Sequence, residues 1–116
     1  MPLYEGISDM KTATFAFFCI LTAGTASAQT ACNWGMMRSE ATDEDRELTV
    51  VNRVGDRTAN LYWIDFDGNP IFYTSIPPNG RYVQPTLYRH VWVVENSYGY
   101  CDVIFTVENN GEIVIK

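Results

Sequence analysis

Short runs of alternating apolar and polar residues, separated by turn-forming residues, fill the chain after position 47. The runs lie at residues 48–51, 59–66, 71–75, 81–84, 90–95, 100–107 and 112–115. Between them, Asp67 and Gly68 favour a tight hairpin, and Pro77 and Pro78 interrupt the ladder because proline cannot donate a backbone hydrogen bond. This series of seven runs without a helical period predicts an all-β fold, an antiparallel sandwich or barrel.

The alternation also predicts which side chains share a face of a strand. It sets Trp63 and Phe66 on opposite faces of one strand, and His90 and Trp92 on the same face of another. Trp63 and Trp92 are large enough to fill much of a small β core, so the same pattern is compatible with purely structural roles.

The beginning of the chain has the order of a secretory signal. Lys11 precedes a charge-free apolar run at 12–24, and the small residues at 26–28 suit a signal peptidase. The run is shorter than the roughly 20 residues of a membrane span. We therefore predict a misassigned start at 1–9, a signal peptide at 10–28 and a secreted or periplasmic location. A buried core helix is the alternative.

Cleavage would leave an acidic lead-in at residues 29–45, in which 33–37 could add an edge strand, and one β-sandwich domain at 46–116. The whole chain carries 14 acidic and 8 basic side chains, a formal net charge of −6, without a basic cluster. This charge argues against nucleic acid or an anionic membrane surface as partners. After the signal, no apolar stretch is long enough for insertion into a membrane.

Three cysteines occur, and Cys19 would leave with the signal. Cys32 and Cys101 remain, so an oxidising compartment predicts a disulfide between them. A lipid-modified Cys32 is one alternative, although the apolar residue that such signals place three positions upstream is missing. A metal site is another, but only one histidine is available to complete it.

The sequence has no recognised catalytic motif. Asp65 and Asp67 could present the two carboxylates of a glycosidase, but solvated turn residues are the simpler interpretation. The acidic run 43–47 lacks the ligand number of a calcium loop. We predict that the protein is not an enzyme and needs no cofactor or metal.

Aromatic and hydroxyl residues nevertheless gather around the single histidine. Trp63 and Tyr73 lie on the two arms of the hairpin at Asp67-Gly68, and Thr86, His90 and Trp92 lie across the next strand boundary. The simplest interpretation of the five is a normal β core in which the histidine bonds to a backbone carbonyl.

Their spacing resembles a known pattern. Trp63, the FDGNP sequence at 66–70, Tyr73, IPP at 76–78 and HVW at 90–92 follow one another without insertions as in the β domain of the von Hippel-Lindau tumour suppressor family. The resemblance implies a β-sandwich, and a protein-binding module that recognises 4-hydroxyproline in a peptide.

By position, the resemblance implies that Trp63, Tyr73 and Trp92 form an aromatic cage for the proline ring. Thr86 corresponds to a serine and His90 to a histidine that hydrogen-bond the ligand hydroxyl. Pro85 and Leu87 depart from the family pattern, so we expect different contacts with the rest of the peptide.

The sequence contains no counterpart of the family's helical domain, so we expect no elongin or ubiquitin ligase as a partner. Two hypotheses remain. The protein is an exported module that recognises hydroxyproline-like groups in peptides or glycoproteins, or it is a structural or assembly domain in which the aromatic cluster is only core.

Overall fold

Seven β-strands account for the regular structure of residues 30–116, the part of the chain that the computed structural model describes. They are β1 Asp45–Asn52, β2 Ala59–Ile64, β3 Pro70–Ile76, β4 Arg81–Leu87, β5 Val91–Asn96, β6 Cys101–Thr106 and β7 Gly111–Ile115. The all-β prediction is confirmed, and each predicted run corresponds to one strand. The predicted start 1–9 and signal peptide 10–28 lie outside the described residues. No helix in residues 30–116 is long and apolar enough to cross a membrane.

The strands form a two-layer sandwich. Sheet A has the order β4-β1-β7, and sheet B has the order β3-β2-β5-β6. Neighbouring strands are antiparallel except for β1 and β7, which are parallel from Leu48↔Gly111 to Asn52↔Ile115. The predicted antiparallel sandwich is therefore confirmed, with this one parallel pair as a departure. A parallel pair needs a long crossover, and all the strands between β1 and β7 provide it.

The core lies between the two sheets and follows the period of two along each strand. β1 contributes Leu48 and Val50, β2 contributes Leu61, and β5 contributes Trp92 and Val94, all almost fully buried. β5 is also buried on its other face, where Val91 and Val93 pack with Ile64 and Cys32. Something must therefore cover the outer face of sheet B.

The cover is residues 30–40, which we call the strap. The disulfide between Cys32 and Cys101 joins it to β6, with the two Cα atoms 4.5 Å apart, so the predicted pairing is confirmed. The strap contains a turn and no strand, so the edge strand predicted at 33–37 is wrong. Its backbone is instead held by contacts with sheet B, such as the Cys101 N–H that donates to the Thr30 carbonyl at 2.7 Å.

Candidate functional site

An open recess of about 350 Å³ lies at the side of the sandwich, and the edge strands β3 and β4 of the two sheets both contribute to its lining. The five residues singled out in the sequence all line it: Trp63, Tyr73, Thr86, His90 and Trp92. Asp45, Phe66, Pro85 and Leu87 complete the lining. The structure thus brings together residues from five separate segments of the chain.

Strand register explains how the three aromatic rings meet. Trp63 on β2 lies directly opposite Trp92 on β5, and both side chains point between the sheets. The β2–β3 register shifts so that Leu61 pairs with Thr74 and the next residue pairs with Phe72, which leaves Tyr73 as the extra residue of a β-bulge. A bulge re-aims a side chain, and here Tyr73 turns towards the two tryptophans.

The aromatic rings of Trp63, Tyr73 and Trp92 pack edge to face. Tyr73 and Trp92 lie 4.9 Å apart at 80°, and Trp63 and Tyr73 lie 6.4 Å apart at 71°. Tyr73 is 44% exposed and forms the rim, whereas Trp92 is 2% exposed and forms the floor. The cage and core interpretations of the sequence therefore apply to different residues of one cluster. A flat, apolar ring such as pyrrolidine could stack against the open aromatic surface.

Indole N–H groups already bond to the two polar residues of the recess. Trp92 Nε1 donates to Thr86 Oγ1 at 2.8 Å, and Trp63 Nε1 donates to His90 Nδ1 at 3.1 Å. Because a hydroxyl can both accept and donate, Thr86 keeps its O–H for another acceptor. Because Nδ1 of His90 is an acceptor, its imidazole is neutral and carries its proton on Nε2.

Burial favours this neutral imidazole. His90 is 6% exposed, and burial lowers the pKa of His90 below its ordinary value of 6.5, an effect that the main chain of Glu40 opposes. Nε2 nevertheless has no hydrogen-bond partner of normal geometry among the described residues. The part of His90 that faces the other recess residues is its ring together with Nδ1, which the Trp63 indole N–H occupies.

The tight turn between β4 and β5 sets the position of His90. Arg89 has a φ of 67°, a left-handed conformation that is uncommon for a residue with a side chain. Its guanidinium bonds to Glu40 on the strap and to Glu108 after β6, at 3.2 and 2.7 Å. The Val107 N–H then donates to the His90 carbonyl at 2.8 Å. These contacts fix the turn and keep the imidazole beside Trp63.

Phe66 is a lining residue that the strict alternation of the sequence missed. The predicted strand 59–66 ends at Ile64, and the following turn carries Phe66 back over Trp63, with the two rings 5.2 Å apart at 87°. Phe66 also meets His90 at 5.7 Å. The prediction that Phe66 and Trp63 face opposite ways is therefore wrong, because the period of two holds only while the strand continues.

The neighbouring acidic pair belongs to this turn. The Asp65 carboxylate accepts the N–H groups of Asp67 and Asn69 at 2.9 and 2.8 Å, and Gly68 adopts the positive φ of 88° that the turn requires. Asp65 thus uses its side chain to stabilise the hairpin, as expected of a turn residue and not of a glycosidase acid.

Comparison with known proteins identifies the family. The sequence model of the VHL beta domain matches residues 37–112, well over half of the chain. This is a protein-binding, non-catalytic family that recognises substrates. No curated protein matches the chain in a sequence comparison. The match spans every strand from β1 to β6 and all the residues that line the recess, and the chain belongs to the VHL β domain family.

Proposed function

We propose that this protein is an exported binding module that recognises hydroxyproline-like groups in peptides or glycoproteins. One observation carries the proposal: three aromatic rings, one alcohol and one imidazole, from separate segments, line a single open recess. Trp63, Tyr73 and Trp92 offer apolar faces to the proline ring, and Thr86 and His90 offer hydrogen bonds to its hydroxyl.

Thr86 is the residue that best separates hydroxyproline from proline. Its oxygen already accepts from Trp92, so its free O–H needs an acceptor, which a ligand hydroxyl supplies. Proline would cover this O–H without bonding to it, at a cost of about 1–3 kcal/mol. A site that hydrogen-bonds a ligand OH discriminates against the analogue without it.

His90 plays a more conditional role. Its Nδ1 has one lone pair, which the Trp63 indole N–H occupies. A ligand hydroxyl donates to this nitrogen only when the indole gives way. The neutral imidazole therefore shapes the recess in the free protein and accepts from the ligand after a local rearrangement.

The peptide around the ring has a neighbouring strand to bind. β4 is an edge strand of sheet A, and its residues Pro85, Thr86 and Leu87 form one wall of the recess. An extended peptide can add to such an edge through main-chain hydrogen bonds. Pro85 has no N–H to offer, so the ladder would be interrupted at that residue.

Calorimetric titration of a short hydroxyproline peptide and its proline twin tests the proposal. We expect the hydroxyproline peptide to bind about 10-fold more tightly, within the range that one unpaired buried O–H provides. Thr86→Val should remove this difference by weakening only the hydroxyproline peptide. Equal binding of the two peptides by the native protein, or no binding of either, would contradict the proposal.

The second candidate is a structural or assembly domain. The nearly complete burial of Trp92 favours it, since this ring contributes to the core whether or not a ligand exists. The two candidate functions make different predictions for Tyr73, because its exposed ring would contribute little to the stability of a purely structural domain. If the native protein binds no hydroxyproline peptide and Tyr73→Ala leaves stability unchanged, the structural role is preferred.

Export is a separate part of the proposal. The order of Lys11, the apolar run 12–24 and the small residues 26–28 supports it, and a disulfide suits an oxidising compartment. Expression of the full chain in a secreting bacterial host, followed by mass spectrometry of the N-terminus, should find Gln29 as the first residue. An intact Met1 or Met10 on the folded protein would contradict cleavage.

A further inference from the structure

The charge around the recess is uneven along sheet A. On β1, Asp45 lies opposite Leu87 and Glu47 lies opposite Pro85, the two residues of β4 that flank Thr86 in the wall of the recess. Asp45 itself lines the recess, and both acidic side chains are exposed. Within residues 30–116, neither carboxylate forms an ion pair or a hydrogen bond.

The cations at this end of the molecule are already engaged. Arg46 pairs with Glu44 at 3.1 Å and lies over the ring of Tyr88. Arg89 pairs with both Glu40 and Glu108. Both arginines are thus matched by other carboxylates, so the charge at this end of the molecule stays negative.

Apart from Arg46, the one basic residue on the strands of sheet A is Arg81, which lies at the other end of the sheet. Arg81 pairs with Val51, six residues along β1 from Asp45, and a strand of that length spans about 20 Å. Charges at this separation are largely screened, because the Debye length at physiological ionic strength is about 8 Å. A ligand in the recess therefore experiences the acidic end of the sheet.

We infer that the ligand of the recess carries a positive charge next to its ring, as a lysine or arginine beside a hydroxyproline does. This inference rests on the proposed function and adds the charge of the peptide to it. A peptide that extends along β4 passes within two strand spacings, about 10 Å, of the β1 side chains. The long stem of a lysine or arginine bridges much of this distance, so its cation reaches Asp45 or Glu47.

The O–H of Thr86, a residue that is 8% exposed and whose oxygen accepts from the Trp92 indole inside the recess, is an independent sign that the recess receives a ligand. A buried donor without a partner costs free energy until an acceptor or a water arrives. Thr86 and the aromatic rings bind the hydroxyproline-like group. The negative charges of Asp45 and Glu47 then favour ligands that carry a cation beside that group. Such charge complementarity acts on specificity more than on affinity.

Four capped pentapeptides test the inference, with a central hydroxyproline or proline and flanking residues that are either lysine or glutamate. At low salt we expect the lysine hydroxyproline peptide to bind about 5-fold more tightly than its glutamate counterpart, as exposed ion pairs provide. This ratio should fall towards one at 0.5 M salt, where screening is nearly complete at about 4 Å.

Charge-neutral variants locate the effect. Asp45→Asn should reduce the preference for lysine over glutamate about 2-fold or more, and Asp45→Asn with Glu47→Gln should nearly abolish it. Glu112→Gln is the matched control, because Glu112 lies on β7, beyond β1 as seen from β4. It changes the net charge equally and, at physiological ionic strength, should leave the preference within about 1.5-fold of the native value, since β7 lies two strand spacings, about 10 Å, from β4 and the Debye length is then about 8 Å.

The factorial design separates the two proposals. Equal binding of the lysine and glutamate peptides, or an equal effect of Glu112→Gln and Asp45→Asn, would overturn the inference while a difference between hydroxyproline and proline remained. Equal binding of hydroxyproline and proline with a retained lysine preference would overturn the proposed function alone. Failure of all four peptides to bind would overturn both.

Discussion

The two sides of sheet B carry similar aromatic and apolar residues but are covered very differently. On the outer side the strap lies over Tyr62, Ile64 and Val93, and its polar groups are paired. The Trp34 indole donates to the Gly68 carbonyl at 3.0 Å, and Ser39 Oγ both donates to the Ile64 carbonyl and accepts from the Val91 N–H.

On the recess side, aromatic surface and hydrogen-bonding capacity remain unused. Tyr73 and Phe66 are 44% and 47% exposed, and Thr86 has a free O–H. Leaving such groups without partners costs free energy. On the outer face of the same sheet, the strap covers the apolar surface and pairs the polar groups. The contrast indicates that the strap side is built for stability and the recess side for a ligand.

Removal of the disulfide should have the largest effect, because it acts on the strap side. The bond closes a loop of 69 residues, worth about 4 kcal/mol in the chain-entropy model. We expect Cys32→Ala with Cys101→Ala to lower the free energy of unfolding in urea by about this amount. Reduction of the native protein should match the double variant. Equal unfolding midpoints for the oxidised and reduced protein would show that the strap contributes little.

Ser39→Ala should have the next largest effect. Ser39 is 3% exposed and joins the end of β2 to the start of β5, next to Trp63 and His90. Its loss leaves a buried carbonyl and a buried N–H unpaired, so we expect a fall of about 2 kcal/mol in the free energy of unfolding. We also expect weaker hydroxyproline binding, because β2 and β5 stay paired but lose the bridge that fixes their ends beside Trp63 and His90.

Ser75→Ala is the control for this variant. The Ser75 hydroxyl also makes a good hydrogen bond, to Asn60 Oδ1 at 2.7 Å, but on the exposed surface. Water can replace that bond, so we expect a loss below about 0.5 kcal/mol. If the two serine variants lose equal stability, Ser39 is not a special link between the strap and the recess.

Tyr73→Ala should reverse the pattern, with a small effect on stability and a large one on binding. Its ring is half open to solvent, so we expect a loss below about 1 kcal/mol in urea. The same change removes one wall of the recess and should weaken hydroxyproline binding about 10-fold, as the loss of a stacking ring would. Tyr98→Ala is the control, since Tyr98 is exposed on the β5–β6 turn. Equal effects of both changes on binding would contradict a specific role for Tyr73.

The sequence predicted the elements that depend on local pattern. The seven strands were evident because each alternates between a core face and an outer face, and the hairpin at Asp67-Gly68 because glycine readily takes a positive φ. The disulfide followed from cysteine number and compartment. The five central residues of the recess followed from a resemblance, and their common position is a property of the register between β2, β5 and β4.

The features that the sequence did not reveal depend on contacts between distant segments. Tyr73 reaches the recess through a bulge that alternation cannot indicate. Asp45 reaches it only because β1 pairs with β4 in one register. The strap has a polar, irregular sequence, and only its anchors to Ile64, Val91 and Cys101 make it part of the fold. The parallel pairing of β1 with β7 likewise has no local signature.

The smallest expected effect is a pH dependence that comes from the recess side. Burial lowers the pKa of His90, so between that lowered value and 6.5 the unfolded chain binds more protons than the folded protein. Stability from this group is therefore fully present above pH 6.5 and is lost as the pH falls below it. Protonation also turns Nδ1 into a donor that faces the Trp63 N–H, so ligand binding should weaken over the same range.

Asp102 has the opposite dependence and must be separated from this effect. Burial raises its pKa above 3.8, against the attraction of Arg57, so its contribution to stability falls as the pH rises from 3.8 through the raised value. The difference in unfolding free energy between the native protein and His90→Gln cancels this background at each pH. We expect this difference in unfolding free energy to shrink or change sign as the pH falls from 7.5 towards 5, a range of roughly two units around an ordinary histidine pKa. The reason is that only the native protein contains a buried imidazole that must be protonated over this range. A difference that stays constant over this range would mean that His90 titrates as an ordinary exposed histidine, and that the indole bond to Nδ1 does not hold the imidazole neutral.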